Sequence, residues 1–210
     1  MNVIAINGSP RKQGNSAALL ESAIRGAEAA GAVCERIDLF DLNYKGCVSC
    51  FGCKLLGGPS FGRCAQQDEL KPVLDKILAA DVLLLATPLY FGEVPGAVRN
   101  LLERLWFPAQ LYRKDFRSAY TRRIKIGLMY TMNWTSDDMY KDLIMGQVQN
   151  FRFLMGNAEY MTAVDTMQFD DYSKYSSEMF DGAAKRARHE TEFPKDCERA
   201  FALGKKLASK

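Results

Sequence analysis

The sequence predicts an α/β fold in which a five-stranded parallel sheet, in the strand order 2-1-3-4-5, carries helices on both faces. Short apolar runs alternate along the chain with amphipathic stretches of helical period, and parallel neighbours require such crossover connections. The continuous apolar run at 82–86 is typical of a strand buried on both faces. Right-handed crossovers leave few topologies, and in this strand order the ligand site lies at the carboxyl ends of strands 1 and 3.

The first half of the chain is expected to contain three strands and three helices. A strand at 3–6 ends in a turn signal, and a helix follows over about 15–30, capped by Asn15 or Ser16. An alternating strand at 33–39 leads into a cysteine-rich loop. Further along, we expect a helix that begins at Asp68, the buried strand at 82–86 and a helix at 95–106.

The second half continues the alternation of strands and helices. We expect strands at 124–130 and 159–164, a helix at 137–155 between them, and a final helical stretch at 178–207 with a break at Pro194. We find no linker and no repeat, so we expect a single domain over 1–210. Its departures from the minimal pattern are a cysteine-rich loop at about 44–66 and insertions at about 107–123 and 167–180.

Composition and charge exclude several classes of protein. The 210 residues are 48% hydrophobic and 25% charged, as in an ordinary globular domain. The net charge of +3 is far below that of a nucleic-acid binder, and no apolar run approaches the ~20 residues that span a bilayer. The N-terminus lacks a basic segment followed by an apolar stretch, so we expect a cytoplasmic protein that binds neither nucleic acid nor membrane.

A polar segment at 7–17 joins the first strand to the first helix, where a sheet of this kind binds phosphate. Backbone N–H groups at a helix N-terminus point at an anion, and the helix dipole favours negative charge there. Ser9, Asn15 and Ser16 add side-chain donors, and Arg11 adds a charged one. An ordinary polar turn is the alternative, but this density of donors at the ligand-binding edge favours phosphate binding.

A second motif at 87–96 follows the buried third strand. Tyr90 and Phe91 provide flat apolar surfaces suited to an aromatic ring system, and Gly92 permits a close backbone approach. Alone, these aromatic residues could equally cover the core. Because the loop neighbours a predicted phosphate site, we interpret it as a flavin-binding loop.

Together, the Gly-Ser-Pro-Arg…Gly-Asn-Ser loop and the Pro-Leu-Tyr-Phe-Gly loop resemble those of NAD(P)H-dependent FMN reductases and the related iron-sulfur flavoproteins, which have a flavodoxin-like fold. The resemblance extends to about residue 135. It implies that the FMN phosphate is held by Ser9, Arg11, Gly14, Asn15 and Ser16. It implies that the isoalloxazine is held by Pro88, Leu89, Tyr90, Phe91 and Gly92, with Thr131 and Met132 in contact after strand 4.

The implied activity is transfer of hydride from NAD(P)H to bound FMN and of electrons onward to a small-molecule or protein acceptor. No side chain is assigned a catalytic role, because the cofactor performs the redox chemistry. The near absence of histidine agrees with this, since the only one, His189, is expected at the surface. Two other functions stay open: a flavodoxin-type electron carrier, although such carriers are acidic, and a redox-sensing binding module.

The cysteine-rich loop carries the third motif. Cys47, Cys50 and Cys53 are spaced at intervals that suit a [4Fe–4S] cluster, with Cys64 as the fourth ligand. The triplet resembles that of the iron-sulfur flavoproteins, but Cys64 lies farther along the chain than the compact family spacing. Three interpretations therefore stay open: a cluster, a reactive thiol set, and a loop that no longer holds a cluster. Cys34 and Cys197 are expected to be incidental thiols.

The two insertions are rich in aromatic and charged residues, and the first carries five basic residues, a composition typical of interfaces. We therefore expect a homodimer or homotetramer, as the resemblance also implies. The alternative is that the apolar side chains of the insertions fold back onto the sheet as a lid. Arg113, Lys114 and Arg117 would then bind the anionic end of the NAD(P)H electron donor. The side chains concerned are Phe107, Leu111, Tyr112, Phe116, Tyr120, Phe169, Tyr172, Tyr175 and Phe180.

Overall fold

A computed structural model of the protein describes residues 1–115 and 117–209. Its centre is a sheet of five parallel strands in the order β2-β1-β3-β4-β5, which confirms the predicted topology. The strands are β1 (Asn2–Asn7), β2 (Val33–Asp38), β3 (Val82–Pro88), β4 (Ile124–Thr131) and β5 (Gly156–Ala163). The helices are α1 (Asn15–Ala29), α2 (Leu70–Ala79), α3 (Gly96–Ala109), α4 (Lys141–Leu154), α5 (Gly182–Thr191) and α6 (Phe193–Ala208).

The two faces of the sheet carry separate apolar cores. Leu83 and Leu85 of β3 pack towards α2, α3 and α4, whereas Val82 and Leu84 pack towards α1 and α6. This alternation follows from the period of two in a strand, and it explains why β3 is apolar throughout. None of the helices in the described residues is long and apolar enough to cross a membrane.

The C-terminal helical region is broken close to the predicted position. The sequence predicts a break at Pro194, and the chain forms two helices that meet just before it, with Pro194 in the first turn of α6. A proline is favourable there because its missing N–H would have no helical partner. His189, predicted at the surface, is instead half-buried, with its ring stacked on Phe193 at 5.1 Å between centroids.

Both insertions fold back on the domain where they are described. Tyr120 is partly buried, and its hydroxyl donates to the Leu105 carbonyl at 2.9 Å. Phe169 stacks on Tyr175, with ring centroids 4.1 Å apart, and contacts Tyr172 edge-on. The Tyr120 contact agrees with the lid alternative, whereas the Phe169 contacts lie within the second insertion, and oligomerisation stays untested. Phe116 lies outside the described residues.

Candidate functional site

The predicted loops meet at one edge of the sheet. Because β1 pairs with β3 and β3 pairs with β4, all in parallel, the loops that follow these strands are neighbours. A cavity of about 140 Å³ lies among them. All predicted cofactor-binding residues except Phe91 and Gly92 line it, namely Ser9, Arg11, Gly14, Asn15, Ser16, Pro88, Leu89, Tyr90, Thr131 and Met132.

The loop before α1 leaves the N-terminus of that helix without a side-chain cap from the described residues. The Ser9 hydroxyl accepts from the Arg11 backbone N–H at 3.1 Å, which folds the loop tightly. Gly14 is the N-cap of α1, and a Cβ there would lie 2.9 Å from the Arg11 Cβ. Among the described residues no side chain caps α1, and its first turn contains no acidic residue. Its first N–H groups and the positive end of its dipole therefore remain available to a phosphate.

A buried hydroxyl pair links this loop to the end of β4. The Ser16 and Thr131 hydroxyl oxygens lie 2.7 Å apart, and both side chains are almost fully buried. Each hydroxyl can donate one hydrogen bond and accept others, so either can still bind a ligand. The pair fixes the first turn of α1 against the loop after β4.

The segment 165–168 after β5, here called the strap, lies across the loop before α1. The Arg11 guanidinium donates to the Gln168 carbonyl at 2.7 Å, and the Asn15 amide donates to the Met167 carbonyl at 2.8 Å. Thr166 anchors the strap by donating to the Met132 carbonyl at 3.0 Å. Sequence reasoning missed these strap residues, although their position after the fifth strand places them at the same sheet edge.

The loop after β3 ends in a tight turn. The backbones of Tyr90 and Glu93 exchange two hydrogen bonds of 2.8 and 2.9 Å, and Phe91 and Gly92 between them both have positive φ. Two successive positive φ values define a type I′ turn. A non-glycine residue rarely adopts this conformation, and the Phe91 side chain is fully exposed. The turn therefore places Phe91 and Gly92 at the rim, outside the lining of the cavity.

A buried lysine ties together the loops after β4 and β5. The Lys185 ammonium donates to the Asp165 carboxylate and, at 2.5 Å, to the Asn133 carbonyl. Asn133 also lines the cavity, and its side-chain amide donates to Gln168 at 3.0 Å. Its buried Oδ1 has no hydrogen-bond partner within the described residues. An unsatisfied buried acceptor beside a cavity is a feature that a ligand N–H would relieve.

The four cysteines of the third motif are not assembled as a ligand set. Across residues 1–115 and 117–209, no three or more Cys, His, Asp or Glu side chains form a group that could hold a metal ion. Cys50 is exposed, whereas Cys53 is buried, and burial raises the pKa of its thiol. The Cys64 sulfur accepts from the Arg104 Nε at 3.3 Å. The residues as arranged therefore do not fit a [4Fe–4S] cluster.

Arg104 is the anchor of the cysteine-rich loop. Its side chain is 1% exposed, and it donates to both carboxylate oxygens of Asp68, at 2.5 and 2.9 Å. It also donates to the Lys45 carbonyl at 3.1 Å, on the far side of the loop. Burial alone would raise the pKa of Asp68, but the hydrogen bonds and the charge of Arg104, together with the backbone N–H groups of Leu70 and Lys71, outweigh burial and lower it.

Comparison with known proteins places these features in context. Residues 1–124 match the family described as NADPH-dependent FMN reductase. An iron-sulfur flavoprotein from Archaeoglobus fulgidus is 39% identical over 104 residues, which are 50% of this chain and 48% of that protein. One from Methanocaldococcus jannaschii is 35% identical over 127 residues, 60% of this chain and 59% of that protein. The chain thus spans about half the length of the curated relatives it matches.

Solved structures resemble the whole fold. An NAD(P)H:quinone oxidoreductase from Methanothermobacter marburgensis has a TM-score of 0.67 and 17% identity, covering 100% of this chain and 98% of its own. An azoreductase from Bacillus anthracis has a TM-score of 0.67 and 15% identity, covering 98% of this chain and 99% of its own. At these identities the likeness shows the fold alone.

Proposed function

We propose, from the premise that the chain belongs to the NADPH-dependent FMN reductase family, that it is an oxidoreductase whose cavity at the ends of β1, β3 and β4 binds FMN. One observation carries the proposal. An uncapped helix N-terminus, several side chains that can donate hydrogen bonds to a phosphate, and the turn that begins at Tyr90 all meet at that one cavity. Bound FMN would accept hydride from NAD(P)H and pass electrons to a second acceptor.

The side chains around the cavity fit this cofactor. Arg11, Asn15 and the first turn of α1 would bind the phosphate, and the orphaned Asn133 Oδ1 suits a ring N–H of the isoalloxazine. At about 140 Å³ the cavity is smaller than the ~300 Å³ of ordinary ligand pockets. Because Arg11 and Asn15 donate to strap carbonyls, a bound phosphate would take over these donors, and the strap would move outwards.

The chain's own contribution is to position and shield the ring system. The Tyr90 turn and the Lys185–Asp165 pair hold the loops that flank the cavity. No side chain at the site is proposed to exchange a proton with the substrate. Rapid reduction of the FMN-loaded protein by NADPH or NADH in a stopped-flow experiment would support the reductase, whereas inertness to both would favour the electron carrier.

We expect Arg11→Ala combined with Ser16→Ala to weaken FMN binding by several kcal/mol, because charge-assisted hydrogen bonds contribute about 1.5–3 kcal/mol each. Fluorescence titration of the apoprotein measures the loss, and FMN should bind more tightly than FAD. Arg63→Ala is the matched control, since Arg63 lies near Ile124, at the opposite end of β4 from the cavity. Equal affinities for the double variant and the control would remove the proposed site.

The arrangement of the cysteines predicts an iron content near zero after anaerobic reconstitution. The Cys64 sulfur accepts a hydrogen bond from Arg104, and no three Cys, His, Asp or Glu side chains among the described residues are grouped to hold a metal ion. Iron analysis and the absorbance spectrum test this. The relatives' name suggests the opposite result, about four irons per chain as in a four-cysteine site. That value, abolished by serine at Cys47, Cys50 or Cys53 but kept in Cys34→Ser, would show that the loop rearranges into a cluster.

We further propose that the protein forms a homodimer or homotetramer through an apolar patch beside the cysteine-rich loop. Tyr112 is 75% exposed and Leu56 81% exposed, and the Phe107 ring contacts the rings of Phe51 and Tyr112 edge-on. We expect Leu56→Asp with Tyr112→Asp to yield a monomer in light scattering. Met179→Asp, at a residue 73% exposed on another segment, should leave the assembly intact. A wild-type monomer at micromolar concentration would contradict the proposal.

A further inference from the structure

A second and larger groove lies beyond the strap. Its volume is about 1070 Å³, near the upper end of small-molecule sites, and it is bounded by α1, by α6 and by residues 167–175. It shares Arg11, Gly14, Asn15, Met167 and Gln168 with the cavity assigned to FMN. The groove therefore opens directly from the phosphate loop and is separated from the FMN cavity by the strap.

Two stacked ring pairs line this groove. Phe169 and Tyr175 are parallel to within 11°, and Tyr175 remains 55% exposed. His189 and Phe193 form the second pair, 19° from parallel. Such flat surfaces bind a planar base by stacking. Stacking does not distinguish between bases, because every base has a π-face.

The charged side chains in the groove suit a nucleotide better than a simple anion. Arg11 and Arg25 donate to a carbonyl and a hydroxyl respectively, and neither forms a salt bridge with a carboxylate in the described part of the chain. Asp170 and Glu198 also line the groove. Guanidinium groups bind phosphates bidentately, and carboxylates accept from ribose hydroxyls in dinucleotide sites. With Arg11 engaged by the FMN phosphate, Arg25 is the arginine left to the groove beside the two carboxylates, and this mixture disfavours a polyanion and favours a ligand with phosphate, hydroxyl and aromatic parts.

We propose that this groove binds the adenosine diphosphate part of the pyridine-nucleotide donor. The base would stack on the Phe169–Tyr175 pair, the phosphates would contact Arg25, and the ribose hydroxyls would reach Asp170 or Glu198. The identity of the nucleotide as the adenosine part of the electron donor rests on the proposed function, whereas the nucleotide-binding chemistry rests on the groove alone.

Calorimetric titration of FMN-loaded protein with ADP tests the groove without turnover. We expect one ADP per chain, bound while FMN stays in place, and at least about tenfold weaker binding in Arg25→Gln, which loses a charge-assisted bond. Arg25 lines only the groove, so FMN affinity should be unchanged in this variant. Arg63→Gln, outside both sites, should bind ADP like the wild type. Tyr175→Ala, which removes an exposed ring, should weaken ADP binding without affecting FMN.

Three outcomes would overturn the proposal. FMN-loaded protein could fail to bind ADP, Arg25→Gln could bind ADP as tightly as Arg63→Gln, or ADP could displace FMN. Titration of the apoprotein with FAD distinguishes the source of the adenylate. If FAD binds more tightly than FMN and Arg25→Gln abolishes this difference, the groove binds the adenylate of a flavin, and the assignment to the electron donor is overturned. Failure of the proposed function would appear separately, as an absence of FMN binding.

Discussion

Replacing Gly204 with alanine is expected to lower the free energy of unfolding by about 3 kcal/mol, at the upper end of ordinary overpacking costs. A Cβ on Gly204 of α6 would fall far inside van der Waals contact with the carbonyl oxygen of Ala23 on α1. Gly26 of α1 faces the Phe201 carbonyl of α6 in the same way. Both obstacles are backbone atoms, so no side-chain rotation relieves the clash, and the two helices must separate.

The helix propensity of alanine works in the opposite direction, by about 1 kcal/mol, and is too small to compensate. Gly146→Ala supplies the matched control, because Gly146 lies in the middle of α4 and a Cβ added there would have nothing within 4 Å. That variant should gain about 0.5–1 kcal/mol. Urea unfolding monitored by circular dichroism measures both, and a Gly204→Ala protein as stable as Gly146→Ala would refute the close contact of α1 with α6.

The sheet could be predicted from the sequence because its signals are local. Each strand is a short apolar or alternating run, and the parallel connections then restrict the strand order. The boundaries depend on contacts that the sequence does not display. β5 begins at Gly156, before the predicted start, because only a residue without Cβ can lie so close to the Ile124 carbonyl of β4.

The candidate site also has parts that the sequence predicts and parts that it does not. The loops after β1 and β3 carry recognisable donors and aromatic residues, and the structure brings them to one cavity. The strap binds Arg11 and Asn15 through backbone carbonyls, which any sequence provides, so no motif could reveal it. The contact of Cys64 with Arg104 joins residues 40 positions apart, and a buried arginine has no signature in a sequence.

Arg104→Met is expected to destabilise the protein by about 3–5 kcal/mol, because removing one partner of a buried ion pair leaves the other uncompensated. The substitution also leaves the Lys45 carbonyl and the Cys64 sulfur without the hydrogen-bond donor that Arg104 provides. Arg104→Lys should not restore stability, since an ammonium cannot form the bidentate contact with Asp68. Arg99→Ala is the control in the same helix: Arg99 is exposed and its bridge to Glu103 is 3.5 Å long, so its loss should cost under about 1 kcal/mol.

The effect should also depend on pH. Arg104 holds the pKa of Asp68 below its ordinary value, so the carboxylate stabilises the native state above the unfolded pKa of ~3.9, and this stability is lost as the pH falls through the lower native pKa. In Arg104→Met only the backbone N–H groups of Leu70 and Lys71 still oppose the effect of burial, so the pKa of Asp68 rises relative to wild type. The deficit relative to wild type should therefore be largest near neutral pH and shrink in acid. Urea unfolding at several pH values measures this, and a deficit that is the same at every pH would show that Asp68 does not depend on Arg104.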